Sequence, residues 1–382
     1  MDDRELHARL IGQQGSRWAL NTPVLVLDLD ALDQNIAKMA AIVRDKSLAL
    51  RPHAKTHKSV DIARRQIAAG AVGLCCAKIG EAEVLADGGI EGLLITSPVS
   101  APAAIERLAL LAKTAPSTIA TVDDPGVARR IDLALAAIGA TLDVIVDIDP
   151  GIHRTGVSSP AAAVALAQTI EALPNLRYRG IQFYCGSQQH IAEYAERRDA
   201  IIERTEYLQL VIDALASAGF APELVTGSGT GTHQIDIELG VLNEVQAGSY
   251  VFMDQQYLDC DLANAGARAP PFETALVVDA RVVSANHDGL VTIDAGYKGL
   301  STDGGVALVQ RGPGEGARFA FMGDEHSALI KPGISAELRS GDAVTLTVPH
   351  CDPTVNLYDY YHVVQGDTLV DLWHVGARGR AR

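Results

Sequence analysis

Two kinds of segment alternate along the chain, and this alternation constrains the fold more than any other feature. Short runs rich in β-branched residues are followed by longer segments rich in Ala and Leu with helical periodicity. This pattern is typical of parallel strands joined by crossover helices. The predicted strands are residues 48–52, 73–77, 92–96, 118–122, 143–148, 178–184, 223–226 and 244–247. Eight strands with intervening helices indicate an α/β fold that closes into a (β/α)₈ TIM barrel.

The sequence pattern changes after about Asn264. Alternating Val- and Thr-rich runs bounded by turn residues follow at 275–283, 289–294, 343–348 and 360–364, and they predict a mainly β domain with few helices. An earlier run, 22–30, is also strand-like. A barrel takes roughly 250 residues, so a chain of 382 residues has room for a barrel and a smaller second domain.

Composition excludes some classes of partner. The net charge of -15 and the isoelectric point of about 5.1 argue against nucleic-acid binding, which needs clustered Lys and Arg. The sequence contains no apolar stretch long enough to span a membrane, and its first residues are acidic where a signal peptide would be basic. We therefore expect a cytoplasmic protein. The five cysteines are an odd count without the spacing of a disulfide framework, which predicts reduced and mostly buried thiols.

Lys55 is the first candidate for catalysis. It follows an apolar strand within the segment Arg-Pro-His-Ala-Lys-Thr-His-Lys, residues 51–58. The C-terminal ends of barrel strands line the active site of such folds. The crowded positive charge around Lys55 is expected to depress the pKa of its amine and to make it a nucleophile able to form a Schiff base. A polar loop after a strand has the same composition and is the alternative interpretation.

Two loops have the residues of a phosphate site. Residues 226–232, Thr-Gly-Ser-Gly-Thr-Gly-Thr, follow a predicted strand, and residues 246–250, Gln-Ala-Gly-Ser-Tyr, follow the last one. Glycines there allow backbone N–H groups to approach a phosphate, and barrel phosphate sites often use the last two loops. The first loop lacks the Gly-Lys-Ser/Thr ending of a Walker loop and the acidic residue of a dinucleotide site. Glycine-rich turns without ligands are also common.

His350 and Asp352 form a candidate metal site. They are two residues apart after the strand predicted at 343–348, and side chains at this spacing point to the same face of an extended chain. Such a pair can bind one divalent cation and leave positions open for water and substrate. Surface strands also carry such pairs by chance. Cys351, between them, is expected to point away as a buried structural thiol.

These motifs together resemble the D-threonine aldolase and D-serine dehydratase family. Its members are pyridoxal-phosphate (PLP) enzymes whose barrel is similar to that of alanine racemase. The Arg-Pro-His-Xaa-Lys motif after the first barrel strand is a specific marker of the family. The segments 149–157 and 349–359 also resemble family segments. The resemblance covers the chain from Thr22 to about Arg380.

The resemblance implies a role for each candidate residue. Lys55 would hold PLP, Arg154 would lie near the cofactor ring and its phenolic oxygen, Tyr184 would contact the cofactor, and His190 would be an active-site histidine. Tyr184 as a core aromatic at a strand end is the alternative. Gln246 is a candidate partner of the pyridine nitrogen. The residues expected to bind the phosphate are Thr230, Gly248 and Ser249.

The resemblance also sets expectations for the domains, the metal and the assembly. Residues 32–264 are expected to form the barrel, and residues 1–31 plus 265–382 the β domain. Asp352 is found in the aldolase branch, whereas D-serine dehydratases typically have cysteine at this position. Oxygen ligands suit Mn²⁺, Mg²⁺ or Co²⁺ better than Zn²⁺, and Mn²⁺ is our first expectation. Active sites of such enzymes usually lie at a dimer interface, which implies a homodimer.

The function implied is a PLP- and metal-dependent aldolase. It would cleave D-β-hydroxy-α-amino acids of the D-threonine or D-3-hydroxyaspartate type to glycine and an aldehyde, with His190 or a metal-bound hydroxide as the base. The alternative is a D-serine or D-3-hydroxyaspartate dehydratase that gives a 2-oxo acid and ammonia. A non-enzymatic PLP-binding protein on the same barrel is a third possibility, although such proteins generally lack the β domain.

Overall fold

The computed structural model describes residues 3–265, 270–310 and 312–382. The strands of the barrel region are β2 (Ala49–Leu50), β3 (Cys75–Cys76), β4 (Leu94–Ile95), β5 (Ile119–Val122), β6 (Leu142–Asp147), β7 (Leu176–Phe183), β8 (Leu224–Gly227) and β9 (Glu244–Val245), and they follow β1 (Val24–Asp28). The later strands are β10 (Leu276–His287), β11 (Leu290–Ile293), β12 (Leu308–Val309), β13 (Arg318–Phe321), β14 (Ser327–Ile330), β15 (Ala343–Thr347), β16 (Tyr360–Gln365) and β17 (Thr368–His374).

The helices alternate with the strands of the first half and are short in the second. They are α1 (Asp3–His7), α2 (Leu29–Asp45), α3 (Val60–Ala68), α4 (Ile79–Asp87), α5 (Pro102–Thr114), α6 (Pro125–Ile138), α7 (Pro160–Glu171), α8 (Tyr194–Ser217), α9 (His233–Leu239), α10 (Gln255–Leu258), α11 (Ile334–Glu337) and α12 (Cys351–Val355). None of the helices in the described ranges is both long enough and apolar enough to cross a membrane.

The eight strands β2 to β9 form one parallel sheet in the order β2-β9-β8-β7-β6-β5-β4-β3. The first and last strands of this order meet, because the backbone N–H of Cys75 donates to the oxygen of Pro52 at 2.8 Å and that of Ala54 donates to the oxygen of Cys75 at 2.7 Å. The sheet is therefore closed, and the predicted barrel is confirmed. The strands are shorter than predicted at several places, most clearly at β2, β3 and β4, each of which has two residues where five were predicted.

Helix α2 shows how the sequence starts the barrel. Asp28 has an extended backbone, and its Oδ1 accepts a hydrogen bond from the backbone N–H of Ala31 at 3.1 Å, which satisfies one donor of the first turn. The apolar residues Leu32, Ile36, Met39 and Val43 recur at helical spacing and are buried. The cap fixes the start of the helix at Leu29, and the apolar face holds the helix against the core.

The second domain is built on a mainly antiparallel sheet. Its order is β13-β14-β11-β10-β1-β16-β17, with β15 paired to β10 and to β12. Strand β1 is antiparallel to β10 and parallel to β16, so the N-terminal strand lies in the C-terminal sheet. The domain boundaries after residues 31 and 264 stay predictions. Residues 1, 2, 266–269 and 311, which the predicted β domain includes, lie outside the described residues.

The two domains meet beside the loop that follows β2. One apolar core contains Leu32 of α2, Tyr250 after β9, Leu276 of β10 and Tyr361 of β16. The hydroxyl of Tyr361 donates to the backbone oxygen of His57 at 2.6 Å. The β domain thus holds the loop of Lys55 in place. All five cysteines are free and buried, as predicted.

Replacing Asp28 tests the cap. Asp28→Ala removes the acceptor for Ala31 N–H, and we expect it to lower the free energy of unfolding by about 1 kcal/mol. Asp28→Asn keeps a side-chain oxygen and should lose much less. Urea denaturation followed by circular dichroism measures both. Equal losses in the two variants would show that the charge of Asp28, and not its hydrogen bond, stabilises this region.

Candidate active site

The C-terminal ends of the barrel strands open into a cavity of about 570 Å³. This volume falls in the range of sites that enclose small molecules. The cavity brings together seven of the predicted site residues, namely Lys55, Arg154, Tyr184, Thr230, Gln246, Gly248 and Ser249. His190, His350 and Asp352 are outside its lining but adjoin it, as described below.

Lys55 extends into this cavity and ends at the β domain. Its Nζ lies 2.8 Å from Oδ2 of Asp352, and its side chain is 40% exposed. The charge of Asp352 raises the pKa of Lys55 above its ordinary value, against the opposing effect of burial. The expectation of a depressed pKa is therefore wrong for this structure. The side chain of Asp352 is only 14% exposed, which favours its neutral form, but Lys55 and His350 hold its pKa well below the ordinary range.

The charges expected to depress the pKa of Lys55 are neutralised elsewhere. Arg51 points into the barrel and pairs with Glu244 at 2.9 Å. Lys58 forms an ion pair with Glu81. Burial, followed by the charge of Lys55, lowers the pKa of His53 well below its ordinary value, so this imidazole is neutral. Counting positive residues in the sequence missed these partners because the two acids come from distant segments.

The glycine-rich loop after β8 has tight internal contacts. A Cβ at Gly231 would lie 1.9 Å from the backbone oxygen of Gln189, and the N–H of Gly231 donates to Oε1 of Gln189 at 3.0 Å. Gly231 is therefore required for the close contact with the loop of Gln189, independently of any ligand. Thr230 Oγ1 is buried and has no hydrogen-bond partner among the described residues, although Thr230 lines the cavity. This unpartnered hydroxyl fits a phosphate ligand.

The loop after β9 supplies the other side of the proposed phosphate site. Gly248 lies so close to the Lys55 loop that a Cβ there would be 2.9 Å from the backbone oxygen of His53 and 2.9 Å from Oγ1 of Thr56. Ser249 follows at the cavity wall. Both predicted phosphate loops thus face the same cavity as Lys55.

Tyr184 and Arg154 form another part of the wall. The guanidinium of Arg154 lies 5.6 Å from the ring centroid of Tyr184, within the range of a cation–π contact. Burial raises the pKa of Tyr184, so its hydroxyl is protonated and can donate a hydrogen bond. The alternative of a purely core aromatic does not fit a side chain that lines the cavity.

The metal pair differs locally from the predicted geometry. Strand β15 ends at Thr347, and Asp352 lies in helix α12, so the two side chains are not on one face of an extended chain. Nδ1 of His350 lies 2.8 Å from Oδ2 of Asp303 in a loop of the β domain. Gly304 makes this approach possible, because a Cβ there would be 2.8 Å from the Cβ of His350. Cys351 is fully buried, as predicted.

The donor atoms of this pair fit a divalent cation. A carboxylate on Nδ1 of His350 leaves Nε2 as the lone-pair atom, which is the arrangement that orients histidine ligands in metal sites. Asp352 uses Oδ2 for Lys55, while its Oδ1 accepts a long hydrogen bond from the Sγ of Cys351 at 3.5 Å and has a further lone pair for a cation. Within the described ranges, no group of three or more His, Cys, Asp and Glu side chains could hold a metal ion. The described residues therefore offer two protein ligands at this site, His350 and Asp352.

His190 lies beside the cavity, in the loop after β7. Its ring packs on Tyr257 with 4.6 Å between centroids, and Tyr257 lines the cavity. Partial burial and then the charges of His350 and Lys55 lower the pKa of His190. The imidazole is therefore neutral near pH 7 and able to accept a proton.

Asp254 connects the His190 region to the metal pair, although no sequence motif singles it out. Its Oδ1 accepts from the backbone N–H of Tyr257 at 3.2 Å, and its Oδ2 accepts from that of Cys351 at 2.8 Å. One buried carboxylate thus caps both α10 and α12.

Sequence reasoning also missed Asp303. An Asp before two glycines reads as an ordinary turn, and only the tertiary structure brings it to His350.

The comparisons with known proteins agree with this geometry. Residues 27–256 match the N-terminal domain of alanine racemase, and residues 275–364 match a serine dehydratase domain. The chain is 38% identical to the 3-hydroxy-D-aspartate aldolase of Paracoccus denitrificans (strain Pd 1222), covering 94% of this chain and 93% of that protein. It is 30% identical to the D-threo-3-hydroxyaspartate dehydratase of Delftia sp. (strain HT23), covering 94% of this chain and 98% of that protein.

A solved structure matches along nearly the whole chain. The crystal structure of D-threonine aldolase from Filomicrobium marinum superposes with a TM-score of 0.91 at 39% identity, covering 96% of this chain and 98% of that one. Fold and cavity together define an alanine racemase-like barrel enzyme with a serine dehydratase-type β domain, a class for which PLP is expected. Within this class, the chain belongs to the family of D-threonine and 3-hydroxy-D-aspartate aldolases, and it is a lyase.

Asp147, at the end of β6, carries a pH-dependent contribution to stability. It is buried, and its Oδ1 accepts from Nε2 of Gln182 at 2.9 Å. Burial raises its pKa to about 6, against hydrogen bonds that act in the opposite direction. The folded state therefore binds this proton more tightly than the unfolded state. Its contribution makes the protein less stable as pH rises from about 4 to about 6.

Asp147→Asn should remove that contribution. Without added cofactor, we expect the melting temperatures of variant and parent to be similar near about pH 4 and the variant to melt higher above about pH 7. Asp143→Asn is the matched control, because Asp143 lies on the same strand and pairs with Arg177 and Arg179 at the surface. The control should gain no stability at neutral pH. An Asp147→Asn difference that does not change with pH would contradict the argument.

Proposed function

We propose that this protein is a PLP- and divalent-metal-dependent aldolase that cleaves D-β-hydroxy-α-amino acids to glycine and an aldehyde. Substrates of the D-threonine or D-3-hydroxyaspartate type are expected. One observation carries the proposal: Lys55 Nζ, in the cavity, lies 2.8 Å from Asp352 of the metal pair. The group that would attach the cofactor and the group that would bind the metal are thus adjacent.

The cavity supports PLP as the cofactor. Lys55 would hold it, and the unpartnered Thr230 hydroxyl with the Gly248 and Ser249 backbone would bind its phosphate. Bound PLP accepts electron density from Cα of an attached amino acid and so weakens the bonds to that carbon. Tyr184 and Arg154 form the wall on the side of β6 and β7, where they would orient the ring.

The metal pair would select which bond at Cα reacts. His350 Nε2 and Asp352 Oδ1 would hold the cation, with Asp303 fixing the orientation of the imidazole. A divalent cation there supplies Lewis acidity that lowers the pKa of a substrate β-hydroxyl. Nitrogen and oxygen ligands without thiolate suit Mn²⁺, Mg²⁺ or Co²⁺, and we expect Mn²⁺.

His190 is the base that we assign to the β-hydroxyl. Its lowered pKa keeps it neutral, and its contact with Tyr257 holds the ring beside the cavity. Removal of the hydroxyl proton favours cleavage of the Cα–Cβ bond, because the hydroxyl carbon leaves as the carbonyl of the aldehyde. Glycine is the other product once Cα regains a proton.

Dehydration remains the second candidate, and the similarity to the Delftia enzyme over 94% of this chain supports it. In that reaction Lys55 would remove the Cα proton and the β-hydroxyl would leave as water. The carboxylate of Asp352 and the higher identity to aldolases favour the aldolase.

A homodimer is also part of the proposal. Six large apolar side chains assigned to the β domain are 44–58% exposed, namely Trp18, Val283, Tyr297, Val306, Leu308 and Met322. Val306 lies in the same loop as Asp303, three residues further along the chain, and this loop contacts the metal pair through His350. A second copy of the chain would cover it and enclose the site.

Product analysis tests the reaction. We would incubate the protein with PLP, Mn²⁺ and D-threonine or D-3-hydroxyaspartate, with and without EDTA, and assay glycine, aldehyde, 2-oxo acid and ammonia. We expect glycine and aldehyde in equal amounts, lost on chelation. A 2-oxo acid and ammonia would instead identify the dehydratase. Retained PLP with no turnover would favour a non-enzymatic PLP-binding protein.

Lys55→Ala tests the attachment of PLP. Borohydride reduction should no longer link PLP covalently to this variant, whereas Lys78→Ala, which changes a lysine in the same cavity, should still be labelled.

Asp303→Ala tests how the metal pair is oriented. Loss of the carboxylate behind a histidine ligand is expected to weaken metal binding by about 10- to 100-fold. Calorimetric titration with Mn²⁺ measures this without turnover. Asp324→Ala is the control, because Asp324 is an exposed acid of the same domain that pairs with Lys298 at 3.7 Å. A similar loss in both variants would indicate a general charge effect in place of a contact with His350.

A further inference from the structure

A chain of buried hydrogen bonds crosses the barrel beneath the cavity. It connects side chains of β2 and β9 with those of β7 and β6, and its members are Arg51, Glu244, Thr226, Gln246, Gln182 and Asp147. All six are buried. A group that can only donate or only accept a hydrogen bond, placed at the end of such a chain, sets the direction of the hydrogen bonds along it.

The first end is fixed by an ion pair. Arg51 contacts both carboxylate oxygens of Glu244, with Nε 3.0 Å from each, so Glu244 is ionised and can only accept. The hydroxyl of Thr226 lies 2.9 Å from Oε1 of Glu244 and must donate to it. The Thr226 oxygen is then left as an acceptor for Gln246, whose Nε2 lies 2.9 Å away.

The other end is fixed by a backbone carbonyl. Nε2 of Gln182 donates to the backbone oxygen of Thr96 at 2.9 Å, and a carbonyl oxygen cannot donate in return. Its second N–H donates to Oδ1 of Asp147 at 2.9 Å. Oε1 of Gln182 therefore faces Gln246 as an acceptor, 3.4 Å from Nε2 of that residue. Both ends thus require the amide nitrogen of Gln246 to donate inward.

The consequence concerns the atom that Gln246 presents to a ligand. Both N–H groups of its amide are directed to Thr226 and Gln182, and the residue lines the cavity. Its carbonyl oxygen is the atom left for a bound molecule, and a carbonyl oxygen can only accept. A ring nitrogen that meets it must carry a proton to form a hydrogen bond.

We infer that this hydrogen-bond chain sets Gln246 as an acceptor and that the protein therefore holds the PLP ring nitrogen in its protonated form. The inference rests on the proposed function and on Gln246 as the ring-nitrogen partner. Thr226 and Glu244 are positioning residues that act through Gln246. Hydrogen bonds to the ring nitrogen tune the electronics of the cofactor, and a protonated nitrogen makes the ring a stronger electron acceptor.

A purely structural role for the chain makes a different prediction. Buried polar networks stabilise a fold when every member has a partner. In that case, removing the Thr226 hydroxyl would lower the melting temperature without changing the cofactor nitrogen. The protonation state of that nitrogen therefore separates the two roles.

Nitrogen-15 NMR of the holoenzyme, loaded with PLP labelled at the ring nitrogen, is the direct test. Borohydride reduction and peptide mapping first establish that PLP is attached at Lys55. We expect a signal of the protonated nitrogen that does not change between neutral and mildly alkaline pH. A signal of unprotonated nitrogen, with PLP on Lys55, would overturn the inference and leave the proposed function intact. No attachment at Lys55 would overturn both.

Variants of Thr226 test the role of the chain. Thr226→Val removes the hydroxyl at nearly constant volume, and we expect the nitrogen signal to move toward the unprotonated form and PLP affinity to fall by about three- to tenfold. Thr226→Ser keeps the hydroxyl and should match the parent in both measurements. Gln246→Leu removes the carbonyl oxygen and should also move the signal toward the unprotonated form, which provides a test even if Thr226→Val fails to fold. Identical nitrogen signals in the Val and Ser variants would rule out the positioning role.

Discussion

The ion pair between Lys55 and Asp352 is the contact on which the arrangement of the site depends. It joins the end of the first barrel strand to a short helix of the β domain across 2.8 Å. The two partners lie where the two domains meet, and each shifts the pKa of the other toward its charged form. Several further contacts hold the same junction, including the Tyr361 hydroxyl on the backbone of His57 and the carboxylate of Asp254 on the backbone of Cys351.

The barrel and the β domain contribute different chemistry to this junction. The barrel offers a cavity with a lysine, unpartnered polar groups and a hydrogen-bonded floor, which fit a phosphorylated aromatic cofactor. The β domain offers an imidazole backed by a carboxylate, together with a second carboxylate, which fit a divalent cation. Neither domain alone contains both sets. In an aldolase of this family, the reacting Cα–Cβ bond would lie between them. Strand β1 lies in the C-terminal sheet and leads directly into the first helix of the barrel, which ties the two domains together.

Sequence reasoning was most accurate where a pattern repeats and least accurate where a property depends on distant partners. Alternating strands and helices predicted the barrel, and the strand-end positions predicted seven of the residues that line the cavity. The prediction of a depressed pKa for Lys55 was wrong. The acids that neutralise this positive segment, Glu244, Glu81 and Asp352, are remote from it in sequence. The prediction that His350 and Asp352 lie on one face of an extended chain was wrong, because the chain turns into helix α12 after His350. The phosphate role of the glycine-rich loop after β8 stays a prediction, and the structure adds that Gly231 is required by contact with Gln189.

The barrel, the second β domain, the lysine and the candidate metal pair can be predicted without coordinates, because periodicity and residue type are local properties of the chain. The pairing of each acid with its base, the contact of Asp303 with His350, and the oxygen that Gln246 presents to the cavity emerge from the folded structure. The physical reason is that charge state and hydrogen-bond direction depend on atoms within a few ångströms, and folding brings those atoms from segments up to about 300 residues apart, as for Lys55 and Asp352.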